Sequence, residues 1–475
     1  MTFRSLTGMG SQRFREYNPN QDFLLPPPLR EWVRQDHLAS FISDVVDKLD
    51  SSEIINYYDN SRGGQAPFHP VMMTKLLLYA YCIGVPSSRR VEKSTYDSIP
   101  FRVLATNQYP DHDTISEFRR IHLVALSRIF LQVLKLCQKA GLVKLGHIAL
   151  DGTKVKANAS KHKALSYDRM QKKADELKAE IARLLAEAEA IDAAEDVRYG
   201  RGKRGDELPE ELRFRERRLQ KIEEAKRALE EEARQEAQAA QPAAEKAKAK
   251  SDVRPKPKAQ RNFTDPDSRI MKDGATKAFE QAFNGQVAVD SEYQVIVAAG
   301  VTQECNDKHQ VEPMVERLKR NLSGLRPKRM SLDNGYYSDE YVEFLRGEGI
   351  DAYIATGRLK HGEASPPAPR GRIPKGLTTK ERMARKLRTV KGRCTYAKRK
   401  AIAEPAVGQI KEARGFRRFL LRGVGKVDAE WSIICLTPNL LKLFRWSWQP
   451  ALARCSDRSP TAASGANRNR RPTVG

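Results

Sequence analysis

Residues 145–153 read LGHIALDGT: a short apolar run, Ile148-Ala149-Leu150, that ends in Asp151 and Gly152. A run of this length bounded by glycines suits a buried strand better than a helix. An acid at the end of such a strand can turn inward at the rim of a sheet, where metal ligands sit, although an Asp-Gly turn is a competing reading. The spelling returns at residues 329–336, RMSLDNGY, where an apolar strand again ends in an acid, Asp333, beside a glycine. Further strand patterns fill residues 285–290 and 294–301, with Asp290-Ser291-Glu292-Tyr293 between them as a hairpin turn, and residues 350–355. Val311 to Leu322 and Tyr341 to Leu345 carry helical spacing. The order is therefore strand, hairpin strands, helix, strand, helix, strand, which predicts an α/β domain around a mixed sheet.

A third acid lies in residues 396–416, YAKRKAIAEPAVGQIKEARGF. Seven positions carry a helix almost back to the same azimuth, so Lys411 falls on the face of Glu404, with Lys400 one turn before the acid. The plainer reading is a solvated basic helix in which Glu404 pairs with Lys400. Pro405 disfavours helical backbone at Glu404 and so predicts the acid at a helix N-cap. Acids closing the first and fourth strands, with a third at a late helix, form the RNase H-like arrangement, in which three carboxylates converge at one edge of a mixed sheet. Such a cluster suits two divalent cations, because Mg²⁺ takes hard oxygen ligands and a metal pair can stabilise both oxygens of an in-line phosphoryl displacement. Asp290, Asp307 and His309 are further candidates, read as a turn residue and two solvated surface residues.

The 475 residues carry a formal charge of +25, which favours a polyanionic partner, most simply nucleic acid. Six scattered cysteines without C-x-x-C spacing argue against zinc fingers and a disulfide framework, and for a reducing compartment. No apolar run reaches membrane-spanning length, and the N-terminus lacks the apolar core of a signal peptide, so a soluble intracellular protein is expected.

The first part of the chain is helical in pattern. Val71 to Val85 is apolar nearly all round and should be its buried centre. Ser87 and Ser88 cap a helix with Arg89 and Arg90 exposed early in it, and Thr114 with Glu117 spells a capping box before a long helix bearing Arg119 and Arg120. Cationic helix starts of this kind suit DNA docking in the manner of a helix-turn-helix; a plain bundle with a basic face fits as well. Residues 165–250 change to Ala, Glu, Lys, Arg and Leu, and read as an antiparallel helical hairpin with a flexible Ala/Pro/Lys-rich return. Residues 358–400 hold fifteen Lys/Arg against two acids and read as a mobile loop ordered against phosphate, with Arg382, Arg385, Lys386 and Arg388 as DNA contacts. The expected organisation is an extended segment at 1–30, a helical DNA-binding domain at 31–142, an RNase H-like catalytic domain at 143–162 and 260–446, the hairpin insertion at 163–259 and a disordered tail at 447–475.

These stretches, together with HPVMMTKLLLYAYCIGVPSSRRVEK, PDHDTISEFRRIH and TDPDSRIMK, resemble the DDE transposases of bacterial insertion sequences, in the group with an InsH-like helical N-terminal domain. The resemblance covers roughly residues 15–160 and 260–445. It implies that Asp151, Asp333 and Glu404 form the catalytic, metal-binding triad for two Mg²⁺ ions, with Mn²⁺ able to substitute. In the family's C-terminal signature, Y-x2-R-x3-E-x6-K, Tyr396, Glu404 and Lys411 can occupy places; Arg399 keeps the tyrosine spacing, Lys400 stands where arginine is usual before the acid, and one extra residue separates the two halves. Lys154, at the basic exit from the first strand, joins these residues as a DNA contact. The function implied is binding of terminal inverted repeats, then Mg²⁺-dependent cleavage and strand transfer on double-stranded DNA, by a homodimer at the nucleoid in a bacterial cytoplasm. The alternative is a DNA-binding protein derived from a transposase with a degenerate nuclease site.

Overall fold

The computed structural model describes residues 28–58, 66–199, 210–240, 254–274, 277–357 and 367–448. Seven α-helices precede the first strand among these residues: α1 Leu38–Val46, α2 Ser52–Ile55, α3 Pro70–Cys82, α4 Ser88–Asp97, α5 Ile99–Leu104, α6 His112–Ile121 and α7 Leu123–Lys139. Helix α3 is buried nearly all round, as its composition requires. The long helix expected after Thr114 is instead α6 and α7, bent by 71°. Its cap also differs: Asp111, not Thr114, is the N-cap, its carboxylate accepting the Thr114 backbone N–H at 2.7 Å.

Strand β1, Ile148–Lys156, leads into the insertion, which comprises β2 Ala164–Ser166, α8 Tyr167–Tyr199, α9 Glu210–Ala240 and β3 Gln260–Asn262. Tyr167 bonds Glu230, Lys178 pairs with Glu223, and Glu180 with Arg215. Partner numbers fall as the chain rises, so α8 and α9 run antiparallel, as the sequence reading expected. They close on a small core of their own, including Met170, Leu177, Ile222 and Leu229. The short β2–β3 ladder ties the root of this arm together.

The chain then forms β4 Arg269–Lys272, β5 Phe279–Asp290, β6 Ile296–Thr302, α10 Val311–Asn321, β7 Arg329–Leu332, α11 Asp339–Gly347, β8 Asp351–Ile354, α12 Thr379–Arg388, α13 Val390–Gly408 and α14 Val424–Ser447. Strand β1 is central. It pairs antiparallel with β5 on one edge and parallel with β7 on the other, and β7 pairs parallel with β8. The far edge of β5 is shared by β4 and β6, both antiparallel. The mixed sheet is thus the one expected, with acids where β1 and β7 approach their common end.

From Thr379 onward the basic stretch is helical and not the loop its composition suggested. Thr378 and Glu381 form a capping box that starts α12, and the Thr389 hydroxyl caps α13 by accepting the Gly392 N–H. Only glycine fits at 392, where a Cβ would lie 2.0 Å from the Lys386 carbonyl oxygen. Pro405 does not end α13 either. A proline cannot donate to the carbonyl four residues back; that carbonyl, on Ala401, instead accepts the Gln294 side-chain amide at 2.8 Å. Glu404 therefore stands within the helix and not at its N-cap. Residues 1–27 of the N-terminal segment, 241–253 of the return, 358–366 of the basic stretch and 449–475 of the tail lie outside the described residues.

The helical N-terminal part and the sheet share one hydrophobic core. Leu126, Ile129 and Val133 of α7 belong to the same cluster as Leu436 and Leu440 of α14. Helix α14 covers the sheet through Trp431, whose ring lies over Gly285 and whose indole N–H donates to the Gln286 carbonyl at 3.1 Å. Gly84, just past the end of α3, marks a close approach: its φ is +79°, and a Cβ there would lie 2.7 Å from the Arg414 carbonyl oxygen. Gly84→Ala should therefore cost about 1–3 kcal/mol, from left-handed strain plus overpacking, read as a lower urea midpoint. An unchanged midpoint would mean that α3 is not seated on Arg414.

Candidate active site

Asp151 lies in the body of β1 and not in a turn, for Gly152 continues the ladder opposite Gln286. The glycine is there for space: a Cβ would lie 2.3 Å from Asp307 Oδ1 and 2.6 Å from Gln286 Nε2. Across the parallel pairing, Ile148 faces Met330 and Ala149 faces Ser331. Carried two residues further, that register sets Asp333 beside Asp151. The Asp333 carboxylate is fixed by accepting the Gly335 N–H at 2.8 Å.

A third acid does join them, but it is Asp307. The sequence reading had placed it on a solvated surface; its side chain is 20% exposed. Its Oδ1 accepts the Asn284 and Gln286 amides at 2.7 Å each, and Lys154 Nζ stands 4.0 Å away. The Gln286 amide oxygen in turn accepts the buried Tyr336 hydroxyl at 2.5 Å. Asp290 keeps its turn role, buried and accepting the backbone N–H groups of Leu145 and Glu292. His309 is exposed and meets the Tyr341 hydroxyl.

The cation balancing Asp151 comes from α13. Arg399 Nη1 lies 3.3 Å from Asp151 Oδ1, with side chains 12% and 19% exposed respectively. Tyr396, one turn earlier, bonds the same guanidinium. Burial pushes the Asp151 carboxyl up to about 6; Arg399 pulls it down, and the charges of Asp333 and Asp307 push it further up. Lys154 is lowered by burial, and its Nζ has no hydrogen-bond partner. Lys411 donates to the Lys154 carbonyl, which fastens the end of α13 to β1.

Glu404 is not among these groups. It is exposed, and five residues beyond Arg399 is about 140° round the helix. Its pairing with Lys400 is not formed either; neither residue makes an ion pair among the described residues. No three His, Cys, Asp or Glu side chains among the described residues lie close enough together to hold a metal ion.

Residues 27–120 match a family model described as a transposase domain (DUF772), and residues 373–444 match one described as a transposase DDE domain. The two matches support a DDE transposase of an insertion sequence. No curated protein and no solved structure matches it. The second match takes in Arg399, Glu404 and Lys411 of the transposase, whereas Asp151 and Asp333 lie outside both matched segments.

The transposase distributes its other expected DNA contacts unevenly. Arg89 and Arg90 are exposed at the start of α4. Arg119, expected on the surface, is 7% exposed and donates to the Pro86 carbonyl at 2.8 Å, so it is a structural residue here. Arg120 is held by Glu117. In α12, Arg382 donates to the Leu377 carbonyl, Arg385 clasps the carbonyls of residues 370–372, and Lys386 pairs with Asp351 over the Tyr353 ring. Arg388 and Lys400 are exposed. Asp307, a candidate that the sequence reading set aside as surface, had one further signal: a lone glycine inside a strand marks close approach of another group.

A carboxyl raised to about 6 from 3.8 binds its proton more tightly when folded. Stability from Asp151 is therefore full below about pH 4 and lost as pH rises through 6, on the order of 2–3 kcal/mol. In urea titrations of metal-free protein, Asp151→Asn should gain on the wild type progressively between pH 4 and 7. A gap constant with pH would mean that Asp151 titrates normally.

Proposed function

We propose that this transposase binds the terminal inverted repeats of an insertion sequence and catalyses divalent-metal-dependent cleavage and strand transfer of double-stranded DNA. The observation that carries this reading is the pair Asp151 and Asp333, set side by side on parallel strands of a transposase, one of them buried enough to protonate near neutrality. Crowded carboxylates are hard oxygen donors that need a cation, which suits Mg²⁺, with Mn²⁺ as a substitute. Two such ions would supply charge stabilisation to the attacking and leaving oxygens of the phosphoryl displacement. The sheet order β4-β5-β1-β7-β8, with β6 also paired to β5 and only the pairings of β5 antiparallel, supports an RNase H-like catalytic domain.

The remaining roles belong to the chain's own side chains. Arg399 holds Asp151 until a metal takes its place, and Asp307 fixes the amides beneath the acids. Glu404 is the third acid of the proposal, and it must come in from the outer side of α13. Its exposed position favours one specific alternative, a DNA-binding protein with a degenerate nuclease site. Arg89 and Arg90 are assigned to sequence reading, and a homodimer on DNA is the expected working form.

Cleavage of terminal-repeat DNA in Mg²⁺ separates these readings. Asp151→Ala and Asp333→Ala should each abolish cutting while leaving DNA binding intact. Loss with Glu404→Gln completes the triad. Loss with Asp307→Asn but not Glu404→Gln would make Asp307 the third acid. A wild-type chain that binds the repeats and never cuts them would establish the degenerate reading.

A further inference from the structure

At the start of β1, beside His147 and four residues before Asp151, lies a cleft of about 350 Å³. His147, just before β1, lines it, with Lys328 and Arg329 from the start of β7 and Lys391 and Lys398 from the first turns of α13. All four cations are exposed, and none makes an ion pair among the described residues. One carboxylate, Glu292, is also in the lining. His147 itself is only 5% exposed, and its Nε2 has no hydrogen-bond partner.

Four like charges around one depression repel one another, and a buried polar nitrogen without a partner costs about 1–3 kcal/mol. An anion in the cleft relieves both. Burial, aided by Arg329 and Lys398, pushes the His147 ring down to about 4, so it is neutral at pH 7. In the tautomer with hydrogen on Nε2, it offers an unused donor and no fifth charge. The helix α13 links this cleft to the acids: Lys398 lines the cleft, and its neighbour Arg399 holds Asp151. From His147 to Asp151 is four strand residues, about 13 Å, well within the reach of one bound duplex.

We propose that the cleft is a second phosphate site, in which Lys328, Arg329, Lys391 and Lys398 grip a backbone phosphate of duplex DNA above the His147 ring. It rests on the transposase reading above and adds to it a docking point remote from the reacting phosphate. The cleft carries no base-reading requirement, so it acts equally on any sequence.

The test is a salt titration of the full-length chain on a random-sequence duplex. Each lost phosphate contact lowers the slope of log K against log salt by about 0.9, so Lys328→Ala/Arg329→Ala/Lys398→Ala should flatten it by about 2–3. Glu292→Gln should act the other way and tighten binding. All four side chains are exposed, and an unchanged circular dichroism spectrum confirms the fold. A wild-type slope in the triple variant overturns the cleft while leaving the transposase reading standing. A wild-type chain that binds no duplex overturns both. Saturable binding of inorganic phosphate at His147, seen in its ring NMR signals, with an unchanged DNA slope, would make this a free-anion site and also overturn the proposal.

Discussion

A carboxylate on a central strand is the constraint around which this molecule is arranged. Strand β1 is paired on both edges, so Asp151 cannot move to water without breaking the ladder, and burial raises its pKa to about 6. Asp333 and Asp307 add to that cost, and Arg399 offsets it. Arg399 reaches Asp151 from α13, and the α13 end is pinned to β1 through Lys411. Gly152 leaves room for Asp307, and Asn284 and Gln286 turn their amides toward that second acid. Buried charges in proteins are tolerated where they are paired and hydrogen-bonded; Asp151 and Asp307 meet both conditions, whereas Lys154 Nζ lacks a hydrogen-bond partner.

A different helix, α14, binds the two parts of the chain together. Helix α14 lies against α7 on one side and against the sheet on the other. Its interior proline, Pro438, frees the Ile434 carbonyl, which accepts the Thr437 hydroxyl; Arg414 then donates to that hydroxyl. Because the helical part and the sheet share this core, the exposed Arg89 and Arg90 stand in fixed relation to Asp151 and Asp333. The α8–α9 arm, by contrast, has its own small core and joins through the β2–β3 root.

Much of this was legible in the sequence, and the failures have physical causes. The strands at 148–156 and 329–332 announce themselves by short apolar runs ending in acids, and the hairpin arm by its composition. Helix α12 and the first turns of α13 were hidden because a Lys/Arg-rich stretch reads as a loop, although Thr378-x-x-Glu381 is a capping-box spelling in plain view. Pro405 misled because the compensating donor, Gln294, is 107 residues away and held at a φ of 55°. Arg119 looked like a DNA contact because nothing local shows that Pro86 will offer it a carbonyl. Asp307 was passed over for the same reason: its partners Asn284 and Gln286 reach it only through the folded sheet.

The account stands on Asp151 and Asp333 forming a divalent-cation site that Arg399 fills in the absence of metal. Calorimetric titration of Mn²⁺ into the metal-free transposase at pH 7 tests this most directly. Wild type should bind, Asp333→Asn should not, and Arg399→Gln should bind more tightly because its competing cation is gone. Equal Mn²⁺ affinity in wild type and Asp333→Asn would contradict the account.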